Sequence, residues 1–199
     1  MNKVTGCPFC YINCDDEVNT IIEETDNFAI LPSKGALVEG YLLILPKQHV
    51  TSMNELGDGE KEELKNLIDK YRGIFYNKFG KYPIIFEHGT NMQDSGNSAS
   101  SITHAHYHIV NHKFLNEMKV INLLKFDKVD MGIFFEDKHK SYISYISPDF
   151  CFYITYNFEK VSQQMRIFIA EDLGIDSQYN WKKSNFDNNI TKTINLFKK

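Results

Sequence analysis

The chain has 199 residues, of which 42% are hydrophobic and 24% charged, and its formal net charge is −4. This composition is typical of a soluble globular protein with a core of its own, and it argues against disorder. Acidic residues outnumber basic ones, and the sequence shows no basic stripe that would bind long nucleic acid. It also contains no run of 18 apolar residues, the length needed to span a membrane. The opening residues lack the apolar stretch of a secretory signal, so we expect a cytoplasmic protein.

The first half of the chain predicts a strand hairpin followed by a long helix. Phe28–Leu31 and Tyr41–Leu45 are apolar runs separated by a glycine-containing turn, which favours antiparallel pairing. From Asp58 to Phe79, apolar residues recur at three- and four-residue spacing, as on one face of a helix that ends before Gly80. A further strand is predicted at Pro83–Glu87. These elements indicate an α+β fold with an antiparallel sheet.

The second half of the chain predicts another hairpin and two more helices. The strands Tyr142–Ile146 and Phe150–Thr155 flank a Ser-Pro-Asp turn, and helices are expected at Glu159–Leu173 and Asn188–Phe197. No linker separates the two halves. We therefore predict a catalytic domain over residues 1–112 and an extension over residues 113–199 that packs on it.

A run of alternating histidines, His104-Ala105-His106-Tyr107-His108, precedes an apolar segment that ends at Val110. On a strand, alternate side chains share a face, so the three imidazoles would project together about 7 Å apart. Two other interpretations remain open. The run could be a solvated strand face, or it could supply catalytic metal ligands, since imidazole often binds zinc or iron.

Two cysteines near the start, Cys7 and Cys10, have the two-residue gap found in zinc sites. The same spacing occurs in redox pairs, although no βαβ pattern surrounds it here, and two buried thiols are a third interpretation. The spacing alone leaves these possibilities open, because zinc needs a second pair of ligands.

Three motifs together resemble the histidine-triad family of nucleotide hydrolases and transferases. The histidine run followed by two apolar residues is similar to the family motif His-x-His-x-His. Upstream, the strand that ends in Pro46-Lys47-Gln48-His49 resembles the family's Pro-Lys-x-His, and Cys7-Pro8-Phe9-Cys10 resembles the cysteine pair of many bacterial members. The resemblance covers residues 7–112 and implies the family's antiparallel sheet with packed helices, here followed by a hairpin-and-helix extension.

The resemblance implies a role for each histidine of the run. His106 would be the nucleophile that attacks the α-phosphate and forms a nucleotidyl-histidine, while His108 would donate to a phosphate oxygen. In zinc-bearing relatives the cysteine pair is completed by residues matching His49 and His104, so Cys7, Cys10, His49 and His104 would form a closed structural zinc site.

The loop ahead of the run is small and polar, and Ser100 and Ser101 are expected to bind substrate phosphate. Here the chain departs from the family, which often has Gly-Gln-Ser before the motif. Glu87-His88-Gly89 also departs from the usual Asn-x-Gly, and Pro32-Ser33 stands where an acidic ribose ligand is common.

The sequence as a whole predicts a nucleotide hydrolase or nucleotidyl transferase that acts on a phosphoramidate or a dinucleoside polyphosphate. The resemblance also implies a homodimer. Two alternatives belong to other classes: a metal-dependent hydrolase that uses the histidines as catalytic ligands, and a nucleotide-binding protein without turnover.

Overall fold

One antiparallel sheet forms the centre of the fold. The computed structural model describes residues 3–12, 20–91, 102–130, 140–158 and 162–198, and within them eight strands pair in the order β1-β2-β3-β5-β4-β7-β8-β6. The strands are β1 (Glu23–Glu24), β2 (Phe28–Pro32), β3 (Tyr41–Pro46), β4 (Ile84–Gly89), β5 (Tyr107–Val110), β6 (Asp127–Val129), β7 (Tyr142–Ile146) and β8 (Phe152–Thr155). The helices are α1 (Asp58–Phe79), α2 (Glu117–Leu123), α3 (Gln164–Asp172) and α4 (Asp187–Phe197). The predicted α+β class is confirmed.

The predicted hairpin of β2 and β3 is present, with Phe28 opposite Pro46 and Pro32 opposite Leu42. Every residue of both strands is buried, because the sheet is covered on both faces. Successive side chains therefore enter different cores, and a nearly continuous apolar run is the sequence that such a strand requires.

Helix α1 covers one face of the sheet. Its residues Leu64, Ile68 and Phe75 are fully buried against β2, β3, β4 and β5. The helix spans the predicted residues and ends at Gly80, whose φ of 69° is in the left-handed region that glycine adopts without strain. The N-cap is Gly57 instead of the predicted Asp58, and its N–H donates to the side chain of Glu60.

The opposite face is covered by α2, α3 and the start of α4. Met165 and Ile169 of α3 and Ile190 of α4 pack on Leu43 and Phe86 of the sheet. The residues predicted to begin the α3 helix, 159–161, lie outside the described part of the chain. None of the described helices is both long and apolar enough to cross a membrane.

The hairpin of the second half extends the same sheet instead of forming a separate layer. Strand β7 pairs with β4 along its whole length, with Ile85 opposite Ile146 and Gly89 opposite Tyr142. Strand β8 begins two residues later than predicted, because Phe150 adopts a φ of 61° in the turn. The division of the chain at residue 112 stays a prediction.

Candidate active site

The histidine run lies at the sheet centre, where β5 pairs with both β3 and β4. Strand β5 begins only at Tyr107, and the N–H of Ala105 before it donates to the carbonyl of Val50. Ala105 and Tyr107 pack in the core beneath α1. His106 and His108 lie on the other face, with ring centroids 4.7 Å apart, closer than the expected separation of about 7 Å. The predicted alternation is present for these two histidines, whereas His104 lies in a bend before the strand.

A backbone hydrogen bond orients the His106 ring. Its Nδ1 lies 2.7 Å from the carbonyl oxygen of His104, and since a carbonyl only accepts, Nδ1 carries the proton. Burial lowers the pKa of His106 to about 4, against the smaller opposing effect of that bond, so the imidazole is neutral at pH 7. A neutral imidazole protonated at Nδ1 has an unprotonated Nε2, which is the form that a nucleophile needs.

His108 is held by different partners. Its Nδ1 lies 3.0 Å from the hydroxyl of Tyr41, and its ring stacks on Phe86 at a centroid distance of 4.5 Å. Burial, and then the neighbouring His106 and His88, keep the pKa of His108 well below its usual value. Burial raises the pKa of Tyr41 in turn, so its phenol remains protonated. His108 is therefore a neutral imidazole that contacts a phenol.

A cavity of about 150 Å³, partly open to solvent, lies in front of these histidines. Its lining combines apolar side chains, among them Phe9, Leu31 and Leu43, with histidines and other polar groups. Such a mixture is typical of a site for a small organic ligand that is oriented by a few polar groups. The full lining is Pro8, Phe9, Leu31, Pro32, Ser33, Lys34, Gly35, Leu43, His88, Ile102, His106, His108, Gln163, Arg166 and Trp181.

His88 is a cavity residue that sequence reasoning missed. It lies on β4, its ring is 6.3 Å from that of His108, and its Nε2 has no hydrogen-bond partner among the described residues. Burial lowers its pKa to about 3, so it is neutral. The strand predicted at Pro83–Glu87 stops one residue short of His88; the signal was its spacing of two residues from Phe86, which puts both on one face of a longer strand.

His112 is a second buried histidine outside the run, and sequence reasoning identified no role for it. It is buried, and its Nε2 lies 3.2 Å from Oδ2 of Asp172 in α3. The same carboxylate oxygen accepts the N–H of Leu115. His112 therefore ties the extension to the sheet instead of lining the cavity.

The extension supplies one wall of the cavity through Gln163, Arg166 and Trp181. These side chains reach the loop after β2 because Gly35 lacks a side chain: a Cβ there would lie 2.6 Å from Cβ of Trp181 and 2.7 Å from both terminal nitrogens of Arg166. Trp181 thus has both this packing contact and a place in the cavity lining.

Cys7, Cys10, His49 and His104 converge into a cluster that could hold a metal ion, with their ligand atoms all within 4.8 Å of one another. Sγ of Cys10 lies 3.2 Å from Nδ1 of His49 and 3.7 Å from Nδ1 of His104, and Sγ of Cys7 lies 3.5 Å from the latter. The other ring nitrogen of His104 lies 2.8 Å from the carbonyl oxygen of Pro46. Such a bond commonly fixes the orientation of a metal-binding histidine.

The cluster adjoins the cavity through Phe9. This residue lies between the two cysteines, and its ring contacts those of His104 and His106 at 5.8 and 5.2 Å. The two predicted phosphate-binding serines, Ser100 and Ser101, lie outside the described residues. Ser33, in the position where an acidic ribose ligand is common, accepts the N–H of Gly35.

A comparison with models of protein families identifies the family to which the chain belongs. Residues 6–122, more than half of the sequence, match the family model described as scavenger mRNA decapping enzyme C-terminal binding, which is of the histidine-triad type. The chain is a histidine-triad protein. The match ends at residue 122, so most of the extension of this histidine-triad protein, with Arg166 and Trp181, lies outside it.

Solved structures of other proteins are similar over about half of the chain. A hypothetical protein from Leishmania major is 21% identical, covers 53% of this chain and 72% of its own, and has a TM-score of 0.44. A HIT family hydrolase from Clostridium thermocellum is 17% identical, with coverages of 57% and 96% and a TM-score of 0.42. A diadenosine triphosphate hydrolase from Plasmodium falciparum is 19% identical, with coverages of 48% and 62% and a TM-score of 0.40. A search of curated proteins gave no match.

Proposed function

We propose that this protein is a nucleotide hydrolase or nucleotidyl transferase that acts at an α-phosphate through a covalent intermediate on His106. The substrate is a phosphoramidate or a dinucleoside polyphosphate. The observation that carries the proposal is the 2.7 Å bond from Nδ1 of His106 to the carbonyl of His104. It leaves Nε2 unprotonated on a side chain that lines the cavity.

The reaction has two displacements at one phosphorus atom. In the first, the lone pair of His106 Nε2 forms a P–N bond, and the bond from phosphorus to the leaving group breaks with its electron pair on that group. In the second, water or another acceptor attacks the same phosphorus, the P–N bond breaks with its electron pair returning to Nε2, and the proton that the acceptor loses passes to solvent. Nδ1 keeps its proton throughout.

His108 stabilises the charge that develops on the phosphate oxygens. The protonated phenol of Tyr41 lies 3.0 Å from its Nδ1, and the guanidinium of Arg166, which has only donors, lies beside that phenol. The phenol therefore donates to Nδ1, and the imidazole carries its own proton on Nε2. This N–H is a fixed donor for a phosphate oxygen.

The cluster of Cys7, Cys10, His49 and His104 fits a structural zinc ion. Zinc bonds of about 2.3 Å to sulfur and about 2.0–2.1 Å to nitrogen place tetrahedral ligands about 3.5 Å apart. The nitrogen–sulfur distances of 3.2 to 3.7 Å agree with that spacing. Zinc would join the N-terminal segment to the histidine run, and with four protein ligands it would leave no position for substrate.

The alternative of a metal-dependent hydrolase predicts a different result when the metal is removed. In that case, removal of metal by a chelator abolishes turnover while the fold and nucleotide binding persist. In the proposed mechanism, turnover falls only with unfolding of the segment around residues 7–10, because the metal does not touch the reacting atoms.

Replacement of the nucleophile tests the proposal directly. His106→Asn is expected to abolish turnover of a nucleotide panel, since an amide nitrogen has no available lone pair, and to preserve nucleotide binding. Wild-type protein quenched with a slow nucleotide analogue should carry phosphorus on His106. Because Trp181, the one tryptophan, lines the cavity, its fluorescence can report binding in both proteins.

A matched control is His112→Asn, which removes a buried histidine outside the cavity lining and should retain turnover. Activity of the His106→Asn variant within tenfold of wild type contradicts the nucleophile assignment. Wild-type binding of nucleotides without turnover of any favours the non-catalytic alternative. The roles of Ser100 and Ser101, the homodimer and the cytoplasmic location remain predictions.

A further inference from the structure

Arg166 of α3 is one of only two arginines in the sequence, and it is 3% exposed. Its Nε donates to the carbonyl of Tyr179 at 2.9 Å, and its Nη1 donates to the carbonyl of Gly35 at 2.6 Å. Its Nη2 has no hydrogen-bond partner, and no carboxylate forms an ion pair with it, among the described residues. A buried guanidinium is thus left with an unbalanced charge, which costs free energy unless an anion completes the site.

Arg72, the second arginine, provides a comparison within this protein. It also donates to two carbonyls, those of Ser147 and Pro148. Burial lowers the pKa of Arg72, but the phenol of Tyr82 and the carboxylates of Asp69 and Asp149 favour its charged form. The cavity around Arg166 contains no acidic side chain in its lining, and its titratable members besides Arg166 are Lys34, His88, His106 and His108. An anionic ligand is therefore the partner that this cavity favours.

The position of Arg166 indicates which part of a substrate it meets. The ring of His106 contacts that of His108, Nδ1 of His108 bonds the hydroxyl of Tyr41, and the guanidinium of Arg166 lies 5.5 Å from the Tyr41 ring centroid. Arg166 comes last in this series of contacts. It is therefore displaced from the phosphorus that His106 would attack, while it lines the same cavity.

We propose that Arg166 binds a second phosphate of the substrate, the one on the departing group. This inference rests on the proposed transfer at His106. Because the attacked atom is the α-phosphorus, a second phosphate in a linear chain is the β-phosphate. As the P–N bond to His106 forms, the bond from the α-phosphorus to the bridging oxygen breaks, and its electron pair leaves on the β-phosphate.

The guanidinium stabilises that charge, for which its planar donors are well suited. Water subsequently cleaves the P–N bond, as in the mechanism above. The substrate class is accordingly a nucleotide with a phosphate-bearing leaving group, such as a dinucleoside polyphosphate. A phosphoramidate, whose leaving amine carries no phosphate, does not use this site.

The test compares two leaving groups in one enzyme. Diadenosine triphosphate releases a phosphate-bearing group, and adenosine 5′-phosphoramidate releases an amine. Arg166→Gln is expected to lower kcat/KM for the first by at least about tenfold, the usual size for a lost hydrogen bond to a charged group. For the second, the change should stay below about threefold. Arg72→Gln, the matched control, should leave the ratio of the two values unchanged.

An equal fall for both substrates overturns the proposal, because it shows that Arg166 only holds the loop at Gly35. Titration with inorganic pyrophosphate gives a readout that does not need turnover. Pyrophosphate should bind Arg166→Gln at least about tenfold more weakly than wild type, and equal affinity overturns the proposal. A wild-type protein that turns over neither substrate overturns the proposed function, while this titration still decides the role of Arg166.

Arg166→Lys covers the case in which Arg166→Gln does not fold. Lysine keeps the charge but lacks the second terminal nitrogen, so pyrophosphate should bind at least about threefold more weakly than to wild type. Undiminished binding to this variant overturns the proposal.

Discussion

His106 and His108 are the same residue type, yet the atoms that touch their Nδ1 nitrogens differ in kind. A carbonyl, which only accepts, faces Nδ1 of His106, whereas a phenol, which can donate or accept, faces Nδ1 of His108. The two ring centroids are 4.7 Å apart. In the proposed mechanism the phenol donates, so the rings are opposite tautomers, and one presents a lone pair while the other presents a proton.

The hydroxyl of Tyr41 is the group that fixes the second tautomer. Tyr41→Phe removes only that hydroxyl, so His108 is free to place its proton on either nitrogen. We expect kcat to fall roughly tenfold, less than for the loss of a whole transition-state donor, while KM changes little. Steady-state kinetics measure the split, and nitrogen NMR of the His108 ring should show a mixture of tautomers. An unchanged kcat contradicts this role for Tyr41.

His88 makes stability depend on pH. Its folded pKa is about 3, below the usual 6.5, so the unfolded chain binds a proton that the folded chain does not. This contribution to stability is present above pH 6.5 and is lost as the pH falls towards 3. By linkage, one such histidine costs about 2 kcal/mol between pH 7 and pH 5.

His88→Leu removes both the titrating group and the unpartnered nitrogen. The variant should lose about 2 kcal/mol less of its unfolding free energy than wild type over that pH range. Urea denaturation at pH 7 and pH 5 measures the difference. Parallel losses in the two proteins would mean that His88 becomes protonated without unfolding.

At the scale of elements, the segment of residues 7–10 is placed by side chains, since it belongs to neither a helix nor a strand. Its two cysteines meet His49, which follows β3, and His104, which precedes β5. The segment in turn places Phe9 on the ring of His106. A metal at the four ligands would thus hold one wall of the cavity.

Purified protein is accordingly expected to contain about one zinc ion per chain, and Cys10→Ser should lose it. Cys10 is the appropriate target because its Sγ contacts both histidines of the cluster. The midpoint of thermal unfolding should fall by at least about 5 °C, since a bound ion stabilises the folded state. Cys151→Ser, in the turn before β8, is the control and should keep its zinc. Zinc-free wild-type protein with fully reduced cysteines contradicts the site.

The elements that the sequence predicts best are those whose signal is local. The boundaries of α1 follow from apolar periodicity and from Gly80, and β2, β3 and β7 from apolar runs. Strand β8 was placed too early, because the left-handed turn residue Phe150 is aromatic and looks like a strand former. The addition of β7 to β4 depends on contacts between distant parts of the chain, and no local pattern reports them.

At the scale of the whole molecule, the site residues that were predicted have a local sequence signal, and those that were missed depend on contacts between distant parts of the chain. His106 and His108 are two residues apart, so the alternation of side chains along the chain places both on one face. Arg166 reaches the cavity only because α3 packs across the sheet and Gly35 admits it. The sequence around Arg166 has the pattern of an ordinary amphipathic helix, and this pattern does not indicate that the side chain lines a cavity.

The cavity takes Phe9 from one end of the described chain and Trp181 from the other. A chain is made from its N-terminus onward, so the histidines leave the ribosome well before the residues that complete their surroundings. A nascent chain stopped after β5 already contains His106, but it has no Arg166 or Trp181. If Arg166 binds the leaving group as proposed, selectivity for that group arises only after α3 has folded onto the sheet.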